Sequence, residues 1–252
     1  MYSCSNTQNI VELNRIKKVY DTGGQILEVL SDLSLTVDAG EFIAITGPSG
    51  NGKSTLLNMI TGIDHPTGGE VIVNGCAVHL MNENQLAAWR GENIGIIFQF
   101  FQLLPSISLL QNVVMPMEFV GKYRRKERRE RAFHLLELVG LADQANKLPG
   151  TVSGGQQQRA AIARALANDP SLLIADEPTG NLDTKTAETV FELFKSLVKN
   201  GKTMLMVTHD LELAQRIPRI VEIRDGIIAH DSIAAPEIFT NVPQERVLIE
   251  RG

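Results

Sequence analysis

A lysine and a serine that follow a run of glycines are the first residues whose spacing could perform chemistry. Gly47, Gly52, Lys53 and Ser54 match the pattern G-x-x-x-x-G-K-[ST] without a gap. Glycines permit the backbone conformations in which several N–H groups point at one phosphate. In this pattern the lysine reaches the β- and γ-phosphates and the hydroxyl binds Mg²⁺. The segment predicts an ATP and Mg²⁺ site formed by Gly47, Ser49, Gly50, Asn51, Gly52, Lys53, Ser54 and Thr55.

Two adjacent acids form a second candidate group. Asp176 and Glu177 follow the apolar run Leu172–Ala175, which is typical of a buried strand. Such a pair is common on solvated loops, but a carboxylate at the end of a parallel strand points into the ligand crevice. We expect Asp176 to bind Mg²⁺ and Glu177 to act as the general base on water. A helix should follow, capped near Asp183 or Thr184.

A serine and a histidine occupy positions that suit phosphate binding. Ser153 is a good N-cap for a helix over Gln156–Ala167, and a helix N-terminus attracts anions. A capped helix explains the serine alone but not the pair Gly154–Gly155. His209 follows the apolar strand Met204–Val207, where a site residue is expected, although a lone histidine there is more often structural.

Gln99 and Tyr20 have competing interpretations. Gln99 lies in FQFFQLLP, whose aromatic residues favour a core, while the glutamine has no core reason to be polar. Gln102 is close enough to leave that choice open. Tyr20 follows Lys17–Lys18 and could equally cover the edge of a β-sheet.

Alternating strands and helices must position these residues. Phe42–Thr46 reads as a buried parallel strand before the glycines, and Lys53–Thr61 as a helix that stops at Gly62. The pattern predicts an α/β fold with a RecA-like P-loop core. Three β-rich segments predict a small antiparallel sheet, and the chain between Gln99 and Ala167 is mostly helical. These segments are Ile10–Tyr20, Leu27–Val37 and Glu70–Val73.

The pattern also predicts domain limits. Residues 1–98 and 169–234 form the ATPase core with its antiparallel β subdomain, 99–168 an inserted helical subdomain, and 235–252 a tail. At 252 residues the chain can hold one such core but not two. Its net charge of −5 argues against general nucleic-acid binding.

These segments resemble the nucleotide-binding subunit of ATP-binding cassette (ABC) transporters along nearly the whole chain. VSGGQQQR is similar to the family's signature loop, with Val152 in place of the usual leucine. The resemblance implies a head-to-tail dimer in which Ser153 and Gly155 of one copy contact the γ-phosphate held by Lys53 of the other. The signature residues are Ser153, Gly154, Gly155 and Gln156.

The resemblance also implies individual roles. Tyr20 would stack on adenine, and Gln99 would sense Mg²⁺ and water. Asp183 would contact the other copy. His209 would hold the γ-phosphate and help to orient Glu177. A nucleotide-binding switch without turnover is the competing class, and the presence of Glu177 and His209 argues against it.

Three motifs resemble one branch of this family, that of lipoprotein-releasing, macrolide-exporting and cell-division ATPases. They are FQFFQLLP, ADEPTGNLD and VEIRDGII. The resemblance implies an exporter or force-transmitting complex with a separate permease at the cytoplasmic face of the plasma (inner) membrane. Phe100–Leu109 would be the transmission surface. An amino-acid importer and a cell-division regulator are the alternatives, and a soluble ABC ATPase acting on DNA or ribosomes fits less well.

A basic run in the helical part has two interpretations. A solvated helix face with a few ion pairs is the simpler, and contact with anionic lipid is the other. The run comprises Lys122, Arg124, Arg125, Lys126, Arg128, Arg129 and Arg131.

Overall fold

The computed structural model describes residues 9–21 and 23–232. Within these residues the chain forms ten strands and seven α-helices. The strands are β1 (Asn9–Asp21), β2 (Ile26–Asp38), β3 (Phe42–Thr46), β4 (Gly68–Val73), β5 (Cys76–Ala77), β6 (Ile94–Ile97), β7 (Leu172–Asp176), β8 (Thr203–Val207), β9 (Arg219–Arg224) and β10 (Ile227–Asp231). The helices are α1 (Lys53–Thr61), α2 (Glu83–Asn93), α3 (Leu109–Val120), α4 (Arg125–Leu138), α5 (Gly154–Ala165), α6 (Thr184–Lys199) and α7 (Leu211–Ala214).

The predicted site lies at one end of a six-stranded sheet, where the strands terminate. Its order is β10-β9-β3-β8-β7-β6, and all strands except β10 run parallel to their neighbours. The predicted strand Phe42–Thr46 and helix Lys53–Thr61 are confirmed to the residue. Because β3, β8 and β7 are adjacent, the segments that follow them meet at the carboxyl end of the sheet.

Both faces of this sheet are buried. Along β3, Phe42 and Ala44 join one core with Phe191 and Phe194 of α6. Alternate residues of β3 face the other core, which contains α1 and the inner side of the antiparallel sheet. Since successive strand side chains point to opposite faces, the all-apolar sequence of β3 fits a strand covered on both sides.

The three β-rich segments form the predicted antiparallel sheet. Its order is β2-β1-β4-β5, so the short strand β5 adds an edge that the sequence pattern did not indicate. Buried Val11, Leu13 and Leu30 pack into the same core as α1. The sheet therefore fixes Tyr20, near the end of β1, relative to the helix that follows the glycine loop.

Helices α3, α4 and α5 pack together on the opposite face of the parallel sheet. Helix α5 begins at Gly154, two residues before the predicted start at Gln156, because the Ser153 cap makes Gly154 the first helical residue.

The domain limits near 98 and 169 stay predictions, and the tail at 235–252 lies outside the described residues. In the described part, no helix has the length and apolarity needed to cross a bilayer.

Three of the seven side chains in the basic run have a structural role that neither interpretation anticipated. Arg131 Nε donates to the Ala167 carbonyl at 2.7 Å, and Lys122 Nζ donates to the Asn168 carbonyl at 2.8 Å. Arg128 Nε donates to the Tyr123 carbonyl at 2.9 Å. These cations satisfy main-chain oxygens, mostly beyond the end of α5. The other four side chains are exposed, and their contact with lipid stays a prediction; they are Arg124, Arg125, Lys126 and Arg129.

Candidate active site

The glycine loop between β3 and α1 has a backbone course that only glycine permits at its first residue. Gly47 has φ of 132°, and a Cβ there would lie 2.0 Å from the Ile223 carbonyl oxygen. Inside the loop, Asn51 Nδ2 donates to the Ser49 carbonyl at 3.2 Å, and Asn51 Oδ1 accepts from Asp225 N at 2.6 Å. Neighbouring β9 and its turn therefore hold the loop in shape.

Lys53 lies inside this loop and not in solvent. Its Nζ donates to the carbonyls of Gly47 and Pro48 at 2.8 Å each, and the residue is only 8% exposed. The first turn of α1 has no acidic residue. The Lys53 ammonium group and the positive end of α1 thus lie together at the glycine loop. This arrangement meets the electrostatic requirement for binding a polyphosphate.

Asp176 and Ser54 bring two oxygen donors together beside Lys53. Burial, and then the neighbouring charge of Glu177, raises the pKa of Asp176, while Lys53 and a hydrogen bond from Ser54 oppose the rise. A hydroxyl bonded to a carboxylate suits Mg²⁺, which takes one or two protein oxygens together with substrate phosphates. Among the described residues, no cluster of three or more acidic, histidine or cysteine side chains could hold a metal alone.

Glu177 and His209 form a direct pair at the ends of β7 and β8. Glu177 Oε2 lies 2.9 Å from His209 Nδ1, and Glu177 N donates to the Val207 carbonyl at 3.0 Å. The glutamate is a non-glycine residue with φ of 46°, a strained conformation of the kind found at functional sites. The pair can hold a carboxylate in one orientation beside a bound water.

Two clefts meet at this pair. One, of about 540 Å³, is bordered by Gly47, Ser49 and His209. The other, of about 380 Å³, is bordered by Glu177, Gly180 and His209. The imidazole therefore stands between the glycine loop and the glutamate.

Gln99, and not Gln102, lies against the Glu177 turn. A Cβ added at Gly180 would be 3.2 Å from Gln99 Nε2, and Asn181 Nδ2 donates to the Gln99 carbonyl at 3.1 Å. Gln102 lines a separate groove and has φ of 53°. Arg164, whose pKa is lowered by burial, donates to the Phe101 carbonyl at 2.9 Å and also to that of Gln102.

The signature residues stand apart from the glycine loop of their own chain. Ser153 Oγ accepts from Gln156 N at 3.3 Å and Gln156 Oε1 accepts from Ser153 N at 2.9 Å, a reciprocal N-cap. Asp183 caps α6 by accepting from Thr186 N and Oγ1, which lowers the pKa of Asp183. Throughout residues 9–21 and 23–232, no hydrogen bond or ion pair joins Ser153–Gln156 to the loop at 47–53.

Tyr20 belongs to a partly buried polar cluster whose other members the sequence did not suggest. Its hydroxyl donates to Asp64 Oδ2 at 2.9 Å, and Lys18 Nζ donates to Asp64 Oδ1 at 2.7 Å. The Lys18 ammonium is 4.8 Å from the centre of the tyrosine ring. Burial and Asp64 raise the pKa of Tyr20, while a hydrogen bond with Thr55 of α1 opposes the rise. The ring is therefore held beside the glycine-loop helix.

This cluster predicts an acid-sensitive contribution to stability. Burial alone would raise the pKa of Asp64, but hydrogen bonds from Lys18 and Tyr20 lower it below the usual value. A carboxyl with a depressed folded pKa stabilises the fold above its unfolded pKa of about 3.9, and that stability is lost as pH falls through the folded pKa. We expect Asp64→Asn to lower the free energy of unfolding at pH 6, with a difference that shrinks towards pH 3. Urea unfolding across this range measures it, and a constant difference would contradict the assignment.

Comparison with known proteins places this geometry in a family. A profile described as "ABC transporter" matches residues 30–180. The chain belongs to the ABC transporter ATP-binding family. An uncharacterized ABC transporter ATP-binding protein of Thermotoga maritima is 50% identical, and the alignment covers 88% of this chain and 94% of that protein. The lipoprotein-releasing system ATP-binding protein LolD 1 of Chlorobium chlorochromatii is 46% identical, with 88% and 91% covered.

Two further similarities bear on assembly. The macrolide export ATP-binding/permease protein MacB of Hyphomonas neptunium is 42% identical, with 95% of this chain but only 37% of MacB covered. A dimeric post-hydrolysis structure of the ATP-binding cassette MJ0796 with ADP and Pi is 42% identical, with a TM-score of 0.81. It covers 88% of this chain and 97% of that one. This ABC ATPase thus has the predicted RecA-like α/β fold with antiparallel and helical parts.

Proposed function

We propose that this ABC ATPase is the energy-supplying subunit of an exporter or force-transmitting complex. Two copies close head to tail on ATP and drive a separate membrane permease at the cytoplasmic face of the plasma membrane. The observation that carries the hydrolytic part is the Glu177–His209 pair, 2.9 Å apart at the strand ends beside the Lys53 loop. A carboxylate held next to the phosphate grip is what attack by water requires.

Each residue then has a defined task. Lys53 and the loop amides hold the β- and γ-phosphates, and Tyr20 stacks on adenine. Asp176 and Ser54, with Gln99, would hold Mg²⁺, which when bound offsets charge on the phosphates. The Glu177 carboxylate accepts the proton of the attacking water. His209 fixes that carboxylate through Nδ1 and leaves Nε2 for the γ-phosphate.

The isolated signature loop supports a site shared by two copies. Ser153 and the first amides of α5 offer an anion site without using it in their own chain. The dimeric MJ0796 structures show that such cassettes pair. We infer that Ser153–Gln156 of one copy complete the nucleotide site of the other, and that Asp183 lies at the contact between copies.

A groove next to Gln102 supports a permease contact. It has a volume of about 650 Å³, and Ile96, Phe98, Met115 and Phe119 line it. Phe119 is 81% exposed and nearby Phe100 69%, which is unusual for large apolar side chains. We infer that a cytoplasmic segment of the permease binds here, so that Phe100–Leu109 connects it to Gln99.

The relatives favour export over import. LolD is named for lipoprotein release and MacB for macrolide export. LolD is an ATP-binding protein whose length this chain nearly spans, at 91%. A permease on a separate chain follows by analogy, whereas the cargo depends on that partner.

Co-purification tests the proposal. We expect the tagged chain, recovered from membranes in mild detergent, to bring a permease with a large extracytoplasmic domain. Phe119→Asp should abolish this recovery because it places a charge in the groove. Leu80→Asp, at a residue 77% exposed elsewhere on the surface, is the matched control and should retain it. A solute-binding protein in the complex would indicate an importer, wall enzymes would indicate cell division, and ribosomes or DNA without a permease would refute the proposal.

A further inference from the structure

A buried glutamine joins the signature helix to the turn that carries Glu177. Gln158 lies in α5, and its exposed fraction is 0%. Its Nε2 donates to the Pro178 carbonyl at 2.6 Å. Pro178 directly follows Glu177, so this hydrogen bond fixes α5 to the residue next to the proposed base.

Packing alone does not account for a glutamine here. Its Oε1 has no hydrogen-bond partner in the described part of the chain. A buried amide with an unpaired oxygen destabilises a fold relative to an apolar side chain of the same size. We infer that the hydrogen bond from Gln158 Nε2 to Pro178 has a function that offsets this loss of stability.

Helix α5 also packs against the far end of the turn, where α6 begins. A Cβ added at Gly155 would lie 2.3 Å from Thr186 Cγ2, so the first turn of α5 packs closely against the start of α6. Thr186 is bonded in turn to Asp183. Helix α5 thus contacts both ends of the segment 178–186, and a displacement of the helix moves that segment.

We propose that Gln158 is a positioning residue for Glu177, which couples the position of the signature helix to the orientation of the base in the same chain. The proposal rests on the proposed function, because it takes Glu177 as the base. Glu177 has φ of 46°, and such a conformation persists only while its surroundings impose it. Because the proposed function also places the start of α5 against ATP in the other copy, the bond would link the two nucleotide sites of the dimer.

Gln158→Met tests the bond with little change in volume. We expect kcat to fall about 10-fold to 100-fold, as for a displaced catalytic group, with KM for ATP within about twofold. Asn168→Leu is the matched control. Asn168 is also a buried amide with an unpaired oxygen, but its Nδ2 donates to the Gly91 and Pro116 carbonyls, away from Glu177. It should change thermal stability comparably and leave kcat within about twofold.

Gln158→Glu, assayed at a temperature at which circular dichroism shows it folded from pH 6 to 8, supplies a pH-dependent readout of the same bond. Burial raises the pKa of a carboxyl group, and only the protonated form of the substituted side chain can donate to the Pro178 carbonyl. We expect the ratio of variant to wild-type kcat to rise as pH falls from 8 to 6. A flat ratio, an unchanged kcat in Gln158→Met, or an equal loss in Asn168→Leu would overturn the proposal. Normal turnover in Glu177→Gln, measured in parallel, would instead refute the assignment of the base.

Discussion

Glu177→Gln is expected to bind ATP and to hydrolyse it about a hundredfold to ten-thousandfold more slowly, the range assigned to a general base. The amide keeps the size of the side chain and its contact with His209, which lies 2.9 Å away in the parent. It cannot accept the proton of the attacking water. Lys53 and the loop backbone are unchanged, so affinity for ATP should stay within a few-fold.

The same variant should make the dimer visible. When ATP fills both sites and is not consumed, the closed state persists and size-exclusion chromatography with ATP should show twice the mass of the monomer. Glu130→Gln, an exposed site on α4, is the control and should turn over ATP normally without a persistent dimer. A Glu177→Gln protein that hydrolyses ATP at the parent rate would remove this residue from the role of base.

Mixing two inactive variants is expected to restore hydrolysis. Lys53→Ala removes the phosphate grip, and Ser153→Arg places a large cation where the other copy's γ-phosphate would lie. Each homodimer then carries two defective sites. A mixed dimer combines Lys53 of the second variant with Ser153 of the first and so has one intact site. In an equal mixture about a quarter of all sites should be intact, because half of the dimers are mixed.

Two measurements follow this complementation. Phosphate release should exceed the sum of the separate variants, and trapping should recover one nucleotide per mixed dimer. The control is the double variant Lys53→Ala/Ser153→Arg mixed with Lys53→Ala, which contains no intact combination. Equal activity in the two mixtures would show that each chain completes its own site and would contradict the head-to-tail arrangement.

The parts of the site built within one local segment could be predicted. Local chemistry determines the bounds of α1, where Gly62 ends the helix, and the caps at Ser153 and Asp183. The alternation of strands and helices around the site followed from the apolar patterns and the glycine loop. These features depend on residues within a few positions of each other, and a single sequence displays such spacing directly.

Contacts between distant segments could not be predicted. Lys18 and Asp64 are 46 residues apart, and nothing in either neighbourhood indicates that they pair. Gln158 and Pro178 belong to different elements that meet only after the helices pack on the sheet. The basic run was predicted only in part for a related reason. Its composition suggested a solvated face, which four of its seven side chains form, while Arg131 reaches carbonyls 35 and 36 positions away.

The hydrogen bonds from Arg164 to the loop after Gln99 affect which substitutions the loop can accept. The guanidinium bonds to main-chain oxygens of Phe101 and Gln102, and so it is indifferent to the side chains at those positions. Substitutions there alter the surface offered to a partner and leave the anchoring of the loop intact. Partner recognition can therefore change by substitution of these two side chains, while the loop next to the ATP site keeps its main-chain anchor.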